Sequence, residues 1–390
     1  MPIVRRVLIA GGGIGGLAMA AALGKVGIHA DLYEQGAELR EVGAGVGLWS
    51  NALASLDQLG AGDDVRAATV PVRIFSAAAA DGRVLTSIRL DDLGAEFADA
   101  SCRVVARPVL LAALARQVAP DRVHASHRVE AAESSGSAVH VRFHTGWAEE
   151  GDLLIGADGL HSVVRSMIAG QDRIRYSGQT CFRGLATLPS ANPREIREIY
   201  GAGQRASVCP IDGRRVYWWV AHNAPVNEIV PPALRKAMLL ERYRGWPFGL
   251  PDAIAATEEG GILQNDVVDR KPGRRYARGR VVLIGDAAHP TTPNLGQGAN
   301  MAIDDALVLA RALRDEESVA DALARYERER LDRTRLIVKR SWAFGRPFRW
   351  RSRPAIKLRE AILRRTPART LTDLLRWQIL ENVGPLGPSS

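Results

Sequence analysis

Cysteine is scarce in this chain. Cys102, Cys181 and Cys209 make an odd count with no CxxC pair, which argues against a disulfide framework or a zinc site. Reduced thiols in a cytoplasmic setting are expected, each serving as a small core residue. Long apolar runs are also missing. No stretch reaches the roughly 18 apolar residues of a membrane-crossing helix, and no signal-peptide pattern precedes the strand-like Val7–Ala10. A nucleic-acid signature is lacking too, although the net charge is +9 and the isoelectric point near 9.9. The basic excess lies largely after residue 340, while the first two hundred residues are close to balanced. No nucleic-acid fold accompanies it, so the charge points instead to an anionic cofactor, an anionic substrate or a membrane surface. What is present is globular: 46% hydrophobic and 24% charged residues over 390 positions, enough for two domains sharing an interface.

The first thirty-five residues carry the strongest local pattern. Val7-Leu8-Ile9-Ala10 reads as a buried parallel strand entering Gly11-Gly12-Gly13-Ile14-Gly15-Gly16, which satisfies GxGxxG through Gly11, Gly13 and Gly16. An Ala/Leu-rich helix from Leu17 to Val26 follows, then a second strand ending in Leu32-Tyr33-Glu34. The glycines allow a tight turn, close approach of backbone to a pyrophosphate, and packing of helix on strand. The helix N-terminus offers free N–H groups and a positive dipole end, and Glu34 stands where a carboxylate accepts from a ribose. Dinucleotide binding follows. Whether the dinucleotide is NAD or FAD does not.

Two later segments bear on that choice. Asp152–Gly159 reads as a strand ending in an Asp158-Gly159 turn, and Arg280–Pro290 as a buried strand delivering Asp286 at its C-terminal end, where ligands of open parallel sheets bind. Taken alone, Asp158 reads equally well as the cap of its turn. After Asp286 come Thr291-Thr292-Pro293-Asn294-Leu295-Gly296-Gln297-Gly298-Ala299-Asn300 and a helix from about Met301 to Leu313. Glycines there let backbone N–H groups lie against a flat ring, with a positive helix end behind them.

With these three segments in this order, the chain resembles the single-component (group A) FAD-dependent monooxygenases, or flavoprotein aromatic hydroxylases. Its nearest likeness is to the subgroup of urate hydroxylases and zeaxanthin-epoxidase-like enzymes. The resemblance implies an α/β fold, a Rossmann-like FAD-binding domain of the GR2 type with an antiparallel β-sheet substrate domain and C-terminal helices. The corresponding division is 1–70, 100–175 and 276–340 for the FAD domain, 71–99 and 176–275 for the substrate sheet, and 341–390 for the C-terminal segment. FAD contacts are implied at Gly11, Gly13, Ile14, Gly15, Gly16, Glu34, Gln35, Arg40, Gly45, Arg107, Asp158, Gly285, Asp286, Pro293, Gly296, Gly298, Ala299 and Asn300. His289, beside a turn proline, is read as structural.

Between residues 175 and 275 short alternating runs separated by turns such as Asp212-Gly213 read as antiparallel strands. The resemblance makes this sheet the roof of a substrate pocket and puts Arg205 and Tyr217 in it, with Arg183 a third candidate catalytic residue. Trp219, His222 and Pro293 are candidate substrate contacts. Of Trp218 and Trp219 only one can face a ligand, because neighbours on a strand face opposite ways. Arg205 is read as a stabiliser of a substrate anion. The segment Thr180–Gly184 lacks the asparagine of the urate enzymes, which argues against urate itself.

The implied activity is insertion of one oxygen from dioxygen into a small, aromatic or heteroaromatic substrate through a flavin C4a-hydroperoxide. NADPH or NADH is a transient co-substrate, since no second GxGxxG unit exists. Epoxidation, N-oxidation, Baeyer–Villiger oxidation, and a flavin oxidase or reductase without oxygen transfer are the alternatives. A monomer or homodimer is expected. The arginine-rich residues 341–390 read as two helices on the FAD domain, with peripheral membrane contact by their basic face as a sharper possibility.

Overall fold

The computed structural model describes residues 3–39, 43–93, 102–170, 173–189, 192–379 and 383–387. Arg40 lies outside the described residues. A six-stranded sheet runs in the order Ala277–Arg278, Val281–Leu283, Leu153–Gly156, Arg6–Ala10, His29–Tyr33, Val123–His124. All its neighbours are parallel except the first pair. The continuous apolar run Val7–Ala10 is explained by burial on both faces. The helices Ile14–Lys25 and Gly298–Asp315 pack together beside this sheet. The outcome that matters is convergence. Gly11 N–H donates to Tyr33 O, Ala157 N–H to Ala10 O and Ile284 N–H to Gly156 O, so the three fingerprints leave the sheet side by side at one edge.

A second, seven-stranded sheet has the order Leu263–Arg270, Ile174–Thr187, Arg215–Asn223, Gln204–Pro210, Glu195–Tyr200, Ile74–Ala79, Val84–Arg89. Segments from both sides of the sequence therefore build one roof. It is not purely antiparallel as expected: Glu195–Tyr200 and Ile74–Ala79 run parallel. The chain leaves the sheet after Val84–Arg89, rejoins it at Ile174–Thr187 and only then adds Glu195–Tyr200 beside Ile74–Ala79, and such a long crossover permits parallel pairing. A three-stranded antiparallel meander, Val129–Ser135, Ala138–Phe143 and Ala148–Gly151, lies within the segment 100–175 expected to belong to the FAD domain.

The C-terminal helices also differ from expectation. Helix Val319–Gly345 crosses the division drawn at 340, and Arg353–Arg365 and Ala368–Ile379 pack on the seven-stranded sheet. Leu363 joins Ala77, Ala79, Leu85, Tyr200 and Phe348. Arg359 donates to Gly201 O, Glu360 pairs with Arg83, and Arg376 donates to Leu93 O. The apolar edge of that sheet needs cover, and these helices bring both apolar side chains and donors for the carbonyls of Gly201 and Leu93 beside it.

Candidate functional site

The glycine turn divides its work by position. A Cβ on Gly16 would stand 1.8 Å from Gly11 O, and one on Gly11 (φ +106°) 2.5 Å from Ala157 O, so these two close the helix and the neighbouring strand onto the turn. Gly13 is different: nothing lies within 4 Å of where its Cβ would be, and it faces the cleft with Ile14 and Gly15. Glu34, at the end of strand His29–Tyr33, accepts from Gly12 N–H at 2.7 Å and Gly36 N–H at 2.8 Å, while Gln35 beside it is exposed.

Around the same cleft, Arg107 opens helix Arg107–Ala115 and lays its side chain against Gly43. Its Nε is buried without a partner. Burial and the nearby Arg183 lower its pKa, and Asp286 opposes them. The Asp286 carboxyl opens onto the cleft, where enclosure raises its pKa against the pull of His289 and Arg107. Gly285, Pro293, Gly296, Gly298 and Ala299 complete this wall at the start of helix Gly298–Asp315. A half-buried guanidinium whose Nε lacks a partner, an open glycine position and a helix N-terminus suit a dinucleotide diphosphate.

Two residues of the expected FAD set have other employment for their side chains. Asp158 accepts from Val163 and Val164 N–H and from the Ser162 hydroxyl, capping helix Val163–Ala169 as the plainer reading of its turn allowed. Asn300 is fully buried and clasps Trp49 N–H, Gly47 O and Gly296 O; it fixes the loop behind the cleft rather than facing into it. His289 sits in a buried cluster, 2.6 Å from Asp305, which also binds Arg330 at 2.6 Å and Gly285 N–H at 2.8 Å. Burial alone would raise the Asp305 pKa, but His289 and Arg330 bring it down to about 2.

The roof contributes one face of each strand. On Arg215–Asn223, Tyr217, Trp219 and Ala221 line the cleft, and the Tyr217 ring lies where a Gly45 Cβ would come within 2.3 Å. Trp218 faces the other way, fully buried, donating from Nε1 to the Thr257 hydroxyl at 2.7 Å. His222 shares that outer face, stacked on Phe182 and 3.2 Å from the Tyr243 hydroxyl. It is therefore not a substrate contact: an even offset from Trp218 puts it under helix Pro232–Arg242. Arg183 reaches the cleft and donates to Asn265.

Arg205 also departs from expectation. Its guanidinium is buried, paired with Glu198 through two 2.7 Å contacts, bonded to Asn294 Oδ1 at 2.9 Å, and boxed by Trp219, Phe344 and Phe348. The Tyr200 hydroxyl donates to Glu198 as well. Coulombic attraction to Glu198 raises the Arg205 pKa against the burial that lowers it. A guanidinium already neutralised in this way ties the roof to the 293–295 turn and is not a free anion receptor.

Glu198 and Asn294 were not singled out in the sequence; for Glu198 the available signal was an acid between Ile196 and Tyr200 on one face of the strand Glu195–Tyr200. Nor was the role of helix Ala368–Ile379, whose Leu371, Leu374, Leu375 and Trp377 line the cleft. The cleft, nucleotide cradle and space under the roof together, has a volume of ≈ 970 Å³.

A glycine-turn nucleotide cradle opening into a large, mainly apolar chamber under a sheet defines a flavoprotein oxidoreductase. The chain belongs to the family described as "FAD binding domain", which it matches over residues 5–341, and it is an FAD-dependent monooxygenase. It is 36% identical over 374 residues to the aurachin C monooxygenase/isomerase of Stigmatella aurantiaca, covering 94% of this chain and 97% of that one. With the FAD-dependent urate hydroxylase of Klebsiella oxytoca it shares 32% identity over 343 residues, 85% and 88% of the two chains. The crystal structure of Klebsiella pneumoniae HpxO complexed with FAD and uric acid superposes with a TM-score of 0.90 at 30% identity, covering 98% of each chain.

Proposed function

We propose that this enzyme takes electrons from NADH or NADPH and inserts one oxygen of dioxygen into a small aromatic or heteroaromatic substrate held between the roof and the 293–299 loop. The observation that carries this reading is the placement of the chamber: Tyr217 and Trp219 stand on one side and the Asp286 and Pro293–Ala299 wall on the other. FAD, when bound, supplies hydride acceptance and dioxygen activation. Gly13, Arg107 and the N-terminus of helix Gly298–Asp315 would hold its diphosphate and ring, with Glu34 serving the ribose and Asp286 the ribityl chain. The positive end of that helix favours negative charge on the ring by about 1 kcal/mol.

The remaining work belongs to the chain. Tyr217 and Trp219 form flat apolar walls for a ring substrate and keep water from the reacting atoms. Burial raises the Tyr217 pKa well beyond its usual value, so its phenol stays protonated and donates hydrogen bonds rather than acting as a base. Arg183, on the strand beside Trp219, is a charged group that can meet a polar substituent, whereas Arg205 is already paired. A substrate less polar than the uric acid of the HpxO complex suits this lining.

The test is oxidation of NADH and of NADPH by the FAD-loaded enzyme with a panel of aromatic and heteroaromatic compounds under labelled dioxygen. One compound that accelerates oxidation and gains a single labelled oxygen is the expected result. Acceleration that yields only hydrogen peroxide across the whole panel would leave an oxidase and sink the proposal.

A membrane-surface contact is a second reading, favoured by Leu358 and Ile362, exposed one turn apart on Arg353–Arg365 among Lys357, Arg364 and Arg365. Flotation with anionic vesicles that is unaffected by Leu358→Asp with Ile362→Asp would remove it.

A further inference from the structure

The chamber is wider than a single ring needs. On the inner face of the roof, cross-strand neighbours make a continuous row. Tyr217 stands opposite Cys209, Ile196 beside Phe75, and Phe75 opposite Ile88. Cys209, Ile196, Phe75 and Tyr217 belong to one apolar cluster. This row crosses five strands, and at about 4.8 Å per strand gap it is roughly 19 Å long. All five of its side chains line the same cavity. The neighbouring row is different in kind, since it contains Trp219, Ser207 and the ion-paired Glu198.

A lid of matching character lies over the apolar row. Helix Ala368–Ile379 contacts strand Val84–Arg89, and its Leu375 and Ile379 pack into the same cluster as Phe75 and Ile196. Its Leu371 and Leu374 also line the cavity, and Leu374 is 54% exposed. The exposed Leu374, together with Phe344 at 42%, puts apolar side chains where the cavity meets solvent. Among the described residues from Tyr217 outward along this row, none is charged. Burial holds the Cys209 thiol up at about 12, so it adds no charge either.

We propose that the substrate carries a long hydrocarbon substituent, its oxidised ring resting against Tyr217 and Trp219 and its chain lying along Cys209, Ile196, Phe75 and Ile88 beneath helix Ala368–Ile379. This rests on the monooxygenase reading for the position of the ring, but the chain channel is tested by binding alone. A surface row of this length without a charge or an unpartnered polar group offers no specificity to a compact polar molecule. It does offer each added methylene a place to leave water, worth about fourfold in affinity when fully buried.

The probe is a series of 4-alkylphenols from methyl to dodecyl, titrated into the FAD-loaded enzyme below micellar concentrations by calorimetry, beside 1-butanol and 1-dodecanol. Affinity is expected to rise twofold to fourfold per methylene to at least eight carbons, and dodecanol to bind while butanol does not. Leu371→Lys is expected to lower dodecylphenol affinity at least tenfold and leave 4-methylphenol unchanged. A rise that stops within three carbons, the same loss at both chain lengths in the variant, or no binding by any member overturns the proposal. Because no turnover is read, a failure of oxygen transfer in the labelled-dioxygen experiment would leave this result standing, and the reverse holds equally.

Discussion

The two faces of strand Arg215–Asn223 share one backbone, yet they do opposite work. Outward, Trp218, Val220 and His222 are sealed against the helices Pro232–Arg242 and Leu250–Ala256. Every polar atom named there has a partner: Trp218 finds Thr257, and His222 finds Tyr243. Inward, Tyr217, Trp219 and Ala221 line a chamber, and the guanidinium over Trp219, that of Arg205, is held by Glu198. One face therefore carries stability and the other shape. Substitutions on the two faces should separate cleanly.

The sharpest contrast is between the adjacent tryptophans. Trp218→Ala removes a fully buried ring and the Nε1 hydrogen bond that the Thr257 hydroxyl accepts, leaving that hydroxyl only its bond to Ala253 O, and should cost about 3–5 kcal/mol in urea unfolding of the FAD-loaded protein. Trp219→Ala opens onto space already present and should cost under about 1.5 kcal/mol, with its effect appearing in substrate affinity instead. Equal losses of stability would break the two-face picture.

On the inner face, Glu198→Ala leaves the Arg205 guanidinium buried and uncompensated, and about 3 kcal/mol of destabilisation is expected. The double replacement Glu198→Leu with Arg205→Met should recover most of it. If the double variant is as unstable as the single one, the pair is more than a neutralised tie and interacts further within the roof.

His222 offers a test on the outer face. Burial, with help from Arg242, pushes its pKa down to about 4, against 6.5 for a free histidine. The unfolded chain takes up the proton first as pH falls. Stability from the neutral ring is therefore complete above pH 6.5 and is lost progressively towards pH 4, by at most about 3 kcal/mol. His222→Gln, which can still pair with Tyr243, should flatten that loss and leave the kinetics at pH 7 unaltered. A change in substrate affinity would mean that the residue reaches the chamber after all.

How much of this was legible follows from distance along the chain. Gly11 to Glu34 form one contiguous strand–turn–helix–strand unit, so their arrangement could be read from the order of residues. The edge formed by Gly11, Ala157 and Gly285 was legible too, because each follows an apolar run ending in a glycine-rich turn. The roof was harder. Alternation shows that Trp218 and Trp219 oppose each other but not which is inside, because both faces of this sheet are covered. Glu198 meeting Arg205, the parallel approach of Glu195–Tyr200 to Ile74–Ala79, and Leu375 packing with Phe75 all join distant segments that no local pattern pairs. Asn300 and Asp158 illustrate a subtler limit. A polar residue in a binding fingerprint can serve the loop that forms the site rather than the ligand in it, and only the partners of its side chain tell which.

The smallest expected effect applies the same contrast within the glycine turn. Gly13 faces the cleft, and a Cβ there meets no protein atom. Its backbone, at φ −76° and ψ −172°, suits any residue. Gly13→Ala should therefore change the unfolding free energy of the FAD-free protein by less than about 1 kcal/mol. The added methyl would stand where a diphosphate must come close to the backbone, so FAD affinity should fall about tenfold, or about 1.4 kcal/mol, in a titration followed by quenching of flavin fluorescence. Unchanged FAD affinity would move the diphosphate away from Gly13. A large loss of stability without FAD would instead make Gly13 a packing glycine like Gly16, and the division of the turn into a core side and a ligand side would fail.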